Sequence, residues 1–178
     1  LYEQAVEAGK RTLGEGYFKR FEGMFWGVLE TRPYIRALVG LAQCRWALEQ
    51  FEESVSLDMK VLRLNRSDNQ GVRFFLVNKL MLLDRDGEAA KILRKYNGEG
   101  ENEVVAWPAY NHALLLFRKH GPSAAATSAL RAALKVNPHV PAYLLDDKEL
   151  PEDRPSDYSH GSKEEANLYA EEAFDSWS

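Results

Sequence analysis

A single cysteine, Cys44, stands in 178 residues, so an internal disulfide and a multi-cysteine zinc site are both excluded. One thiol fits a reducing compartment, and a cytoplasmic location is the expectation. Long apolar runs are missing as well. None approaches the roughly 18 residues of a membrane-spanning helix, so no membrane role is expected. No signal-peptide pattern is visible. Leu1 rather than Met opens the sequence, inside an apparently helical pattern. We expect a piece of a longer chain, with any targeting segment or catalytic domain left to the sequence outside it.

The residues of common catalytic devices are equally thin. Four histidines, His112, His120, His139 and His160, are scattered. None has the i,i+4 partner or carboxylate spacing of a metal site, and His139 reads as a turn or packing residue. There is no nucleophile elbow and no glycine-rich phosphate loop. The acidic pairs Asp146-Asp147, Glu152-Asp153 and Glu164-Glu165 lack a shared pocket and read as solvated charge. Cys44 sits mid-helix among apolar residues and is expected to be a buried packing thiol. We therefore expect no enzyme, no catalytic residue, no metal and no cofactor.

Charge is present but unevenly spread. The net charge of −4 gives no global attraction to nucleic acid or anionic membrane. Residues 32–95 hold 12 Lys/Arg against 8 Asp/Glu, whereas residues 146–178 hold 3 against 11. Solvated helix faces with a solubilising cap account for this. The alternative is an acidic tail that covers, or competes for, a basic groove.

Helical periodicity runs through most of the chain. Residues 110–143 form the clearest helical hairpin, broken at His120-Gly121-Pro122 and ended by Asn137-Pro138. Upstream, helices are expected at 1–13 and 17–29 around the turn Gly14-Glu15-Gly16. Others are expected at 33–48, from the Phe51 turn to about Asn65, from Asp68 or Asn69 to Leu83, and at 88–96. Thr31 is a possible N-cap, with Pro33 in the first turn after it. A polar linker is expected at 98–103. Ser54, Ala90 and Ala126 recur at one spacing of 36 residues, as do Leu38, Phe74 and Tyr110. That recurrence predicts helical-hairpin units at about 1–32, 33–67, 68–103 and 104–139 in a single domain, closed by a cap at 140–178. In the cap Pro141 can open a short helix, and Pro151 and Pro155 forbid a long one. Ser162 with Glu165 has the capping-box pattern of a final helix. That helix can hide the apolar face of the last repeat.

Gly121, Ala126, Ala133 and Asn137-Pro138 make the hairpin resemble a tetratricopeptide repeat. The Leu41-Ala42 pair and Phe51 with Glu52-Glu53 look like the same unit, across roughly residues 34–140. The sequence departs from that pattern in its period, at Asp58 where an aromatic is preferred, and at Asn97. The exit Asn137-Pro138-His139-Val140-Pro141-Ala142-Tyr143-Leu144-Leu145 is similar to the suppression-of-tumorigenicity-seven family and to related bacterial repeat proteins. The resemblance implies an all-α fold: a right-handed superhelix of helical hairpins, a tetratricopeptide-like α-solenoid with an irregular C-terminal cap and final helix.

A scaffold of that kind displays its first helices on a concave side. In this register the groove would show Arg36, Val39, Gln43 and Trp46, then Phe75, Lys79 and Leu82, then Asn111, Leu115 and Arg118. Cation, amide and apolar side chains together suit an extended or helical peptide. The positions that would clamp a C-terminal carboxylate hold Val39, Gln43, Leu76, Pro108 and His112, so no clamp of that kind is expected. The expected function is a non-catalytic protein–protein interaction scaffold binding a peptide or protein partner. An accessory or regulatory domain of a larger enzyme or regulator is the alternative. Nucleic-acid binding by the basic middle is a third reading, opposed by the net charge.

Overall fold

The computed structural model describes residues 1–97 and 104–177, and the linker expected at 98–103 lies outside the described residues. Among the described residues the protein is all-α with no strand; Met24 and Asn65 form an isolated antiparallel bridge. The chain divides into two compact units, Leu1–Lys79 and Leu80–Ser178.

In the first unit α1 (Tyr2–Phe21) is one helix bent at Gly14, whose φ of 67° and ψ of 167° are open to glycine and little else. The turn expected at 14–16 is thus a bend between two helical stretches. Helix was expected on to Leu29, but it stops at Phe21. Gly23 takes a left-handed φ of 88°, and two 3₁₀ turns, Phe25–Gly27 and Leu29–Thr31, follow. The Thr31 hydroxyl donates to the carbonyls of Phe25 and Val28. It therefore fixes the turns behind it and does not cap the helix ahead.

Helices α2 (Arg32–Ala47) and α3 (Phe51–Leu64) pack as a hairpin. Tyr34, Ile35, Leu38 and Ala42 of α2 and Val55, Val61 and Leu62 of α3 are buried. Helix α1 packs on α2, so closely that a Cβ at Gly40 would overlap the Tyr2 ring. Phe18, Phe25 and Tyr34 join as an aromatic cluster with centroids 5.2–6.3 Å apart. Helix α4 (Val72–Leu82) starts later than expected, because Asp68 is the residue that caps it. Its carboxylate accepts from the backbone N–H of Val72 at 2.8 Å and of Arg73 at 3.0 Å.

The second unit holds α5 (Asp86–Asn97), α6 (Ala106–His120), α7 (Ala124–Val136), α8 (Val140–Leu144) and α9 (Lys163–Trp177). Helix α6 starts at Ala106 rather than Tyr110 and pairs with α7 through the turn at Gly121, where φ is 63°. The Ser123 hydroxyl accepts from the Ala126 N–H at 3.3 Å, capping α7. Ala126 and Ala133 are buried, as close helix approach requires. On α5 the buried small residue is Ala89, with Ala90 half-buried, so the 36-residue register is off by one there. Residues 145–162 carry no helix or strand, and α9 then lies on both α6 and α8.

Candidate docking surface

The ten groove positions expected from sequence fall into three groups. Arg36 and Gln43 are exposed on α2, with Val39 and Trp46 half-buried between and beyond them. Phe75 on α4 is half-buried and Leu82 at its end is exposed. Lys79, Asn111 and Leu115 are buried, and Arg118 is engaged locally. The structure thus keeps a short α2 strip and turns much of the rest inward.

Lys79 is the clearest correction. Its ammonium donates to Asp58 Oδ2 at 2.7 Å and to the Ser54 hydroxyl at 2.8 Å, and that hydroxyl donates to the Ala42 carbonyl at 2.7 Å. A cation satisfied on both counts inside the unit is not available to a peptide. Its role is support: Lys79 Nζ lies 5.3 Å from the centroid of the Trp46 ring, whose other neighbour is Phe51 at 4.7 Å. Burial raises the Asp58 carboxyl above its usual range, against the pull of Lys79. Asp58, the departure from the repeat pattern noted above, is the partner that a lysine at position 79 needs.

Asn111 and Leu115 lie on the helix that α9 contacts. Asn111 Oδ1 accepts from the Tyr169 hydroxyl at 2.9 Å, and Tyr169 accepts from Trp177 Nε1 at 2.8 Å. Arg118 donates to the Met81 carbonyl at 2.9 Å and pairs with Asp84 and Asp86 at 2.9 and 3.3 Å. It closes the end of α4 as a C-terminal cation does. Cys44 is exposed rather than buried: with Tyr34, Ile35, Leu38 and Ala42 facing inward, the helical phase carries Gln43 and Cys44 to the outside.

Two features escaped the sequence reading. Trp26 stands in the first 3₁₀ turn, where Arg32 and Arg36 bring their guanidinium carbons to 5.0 and 5.4 Å from its ring centroid. Arg32 Nε also donates to the Trp26 carbonyl at 2.8 Å. The i,i+4 spacing of the two arginines was a usable signal; the turn that lifts Trp26 to meet them was not. The second feature is Glu165, read as solvated and in fact fully buried. Its carboxylate accepts from Ala106 N at 3.1 Å, Asn137 Nδ2 at 2.9 Å and Gly161 N at 2.7 Å. Only its own N–H, donating to Ser162 Oγ at 3.1 Å, follows the capping box.

Among the described residues no group of three or more His, Cys, Asp or Glu side chains comes together to hold a metal ion. None of their helices is long and apolar enough to cross a membrane. No family model, curated protein or solved structure matches the chain.

Proposed function

We propose that the protein is a non-catalytic interaction module that docks a peptide or protein segment on the outer strip of α2. The observation that carries this reading is the composition of that strip. Arg36 and Gln43 offer a cation and an amide to solvent, Val39 and Trp46 offer apolar area beside them, and the Lys79–Asp58 pair stiffens the floor under Trp46. Tryptophan and arginine on a rigid support are the residues that dominate protein interfaces. The tetratricopeptide-like superhelix belongs to the same proposal. It is supported by the hairpins α2–α3 and α6–α7, each closed by a small buried residue early in its second helix, Ser54 and Ala126. Second helices open at Phe51, Asp86 and Ala124 and first helices at Arg32, Val72 and Ala106, so the unit length varies. A regulatory domain of a larger enzyme would use the same strip against its own partner domain.

Selection of peptides from a random display library, followed by fluorescence anisotropy, tests the proposal. The variant Arg36→Glu with Gln43→Ala changes exposed side chains only and should keep its helical circular dichroism. Binding of the selected peptides is expected to weaken about tenfold or more. Peptides that bind the folded variant as they bind the original chain would reject the α2 strip as the docking surface.

A further inference from the structure

The end of the α2 strip that carries Arg36 continues into a patch whose chemistry identifies an occupant. Met24 and Leu29 are 59% and 69% exposed on either side of Trp26, unusual exposure for large apolar side chains held in an ordered turn. The turn is held firmly. Phe25 next to Trp26 is fully buried against Phe18 and Tyr34, and Thr31 bonds two of its carbonyls. Arg32 and Arg36 face the Trp26 ring, and among the described residues neither has a carboxylate within ion-pair distance. Glu22, the nearest acid in sequence before the turn, is occupied by Arg63 at 3.6 Å. A preorganised apolar ledge with two uncompensated guanidiniums calls for an acidic segment that carries exposed apolar residues.

The chain itself contains such a segment. Residues 145–153, Leu-Asp-Asp-Lys-Glu-Leu-Pro-Glu-Asp, expose Leu145 and Leu150 around the carboxylates of Asp146, Asp147, Glu149, Glu152 and Asp153. Among the described residues none of those carboxylates has a cation within ion-pair distance, and Lys148 turns away to the Tyr143 ring at 6.0 Å. The net charges agree. The first unit holds 12 Lys/Arg and 10 Asp/Glu, a balance of +2, and the second holds 11 and 17, a balance of −6. We infer that the Met24–Trp26–Leu29–Arg32–Arg36 patch of one copy binds the 145–153 segment of a second copy, head to tail. The patch and the segment are different surfaces, so the contact is heterologous and can propagate beyond a dimer. The inference rests on the α2 strip being a docking surface and names its partner.

Sedimentation across about 10–500 µM chain tests it. The weight-average mass is expected to rise with concentration and to fall back as salt screens the contact. Arg36→Glu with Leu29→Ser removes the patch using exposed positions. Asp147→Lys, Glu149→Lys and Glu152→Lys reverse the segment, also at exposed positions. Each variant alone is expected to stay monomeric, and an equimolar mixture should associate again, because it restores one intact patch opposite one intact segment. A fold defect would not be rescued this way. An original chain that remains monomeric throughout, or a patch variant that associates as well as the original, overturns the inference. If the chain is monomeric while library-selected peptides still depend on Arg36, the self-contact falls and the docking strip stands.

Discussion

The two hairpins α2–α3 and α6–α7 solve the same packing problem with different chemistry. Both place a small residue early in the second helix, Ser54 in one and Ala126 in the other, and both bury it. Ser54 brings a hydroxyl, and around it the first unit builds a charged cluster, Lys79 with Asp58, behind the outward face of Trp46. Ala126 brings nothing polar. There the second unit buries aromatic rings and neutral hydrogen bonds: Tyr110 donates to the Asn137 carbonyl at 2.6 Å, and Tyr169 links Asn111 to Trp177. The fully buried carboxylate described there, Glu165, is met by two backbone N–H groups from elsewhere in the unit and an amide rather than by a lysine. One hairpin carries an outward strip on its first helix. The other has its first helix covered by α9, which leaves Asn111 and Leu115 inside.

The sharpest way to break this contrast is Lys79→Met. It leaves Asp58 buried without its partner and is expected to cost about 3–5 kcal/mol in urea denaturation. Adding Asp58→Leu should restore most of that loss, because a buried ion pair replaced on both sides is often neutral. Failure of the double variant to recover would mean that the cluster does more than balance its own charge. Glu165→Gln should cost less, about 1–3 kcal/mol, since the amide keeps one acceptor oxygen but turns a donor toward donors already in place.

Much of this was legible in the sequence, and the losses have physical reasons. Periodicity located α2, α3 and α7 to within a residue or two. The turn at Gly121, the short helix at Pro141 and the start of α9 were readable from local chemistry alone. The helix past Phe21 was misplaced because Phe25, Trp26 and Leu29 have helical spacing, whereas the chain leaves the helix at Phe21, turns through a left-handed Gly23, and is held in the following 3₁₀ turns by the Thr31 hydroxyl. Lys79 was placed on the groove by the repeat register, and Glu165 in solvent as half of an acidic pair. Their burial depends on partners 21 and 28 residues away, Asp58 and Asn137, which no local pattern pairs. Of the candidate site, the exposure of Arg36 and Gln43 along α2 was legible because a single helix carries them. The Trp26 patch was not, because it needs the turn and the helix together.

Two smaller effects sharpen the comparison further. Burial pushes the Tyr110 and Tyr169 hydroxyls well above the ordinary phenol range. Their folded pKa values are raised, so their contribution to stability is complete below about pH 10 and is lost as pH climbs through the folded values. In an alkaline titration, their phenolate absorbance should therefore appear together with loss of helical signal. Tyr169→Phe should flatten that alkaline limb while costing about 1–2 kcal/mol near neutral pH through the lost hydroxyl bonds. Phenolate absorbance from every tyrosine before any unfolding would contradict the burial. At the lower end, Cys44→Ser on the exposed face of α2 should change stability by no more than about 0.5 kcal/mol in thermal melts, and a thiol reagent should modify Cys44 in the folded protein.

The way α9 is fastened has a consequence for how the second unit assembles in time. Ala106 and Glu165 are 59 residues apart, Asn111 and Tyr169 58, and Trp107 and Glu172 65, the last joined at 2.9 Å. The α6–α7 hairpin closes through a turn of a few residues and can form early at little loop entropy, whereas these bonds from α6 to α9 must wait for a long loop to close. Docking of α9 is then the late step of folding, and its release an early step of unfolding. The lifetime of the folded unit is therefore set at α9, far in sequence from the strip on α2.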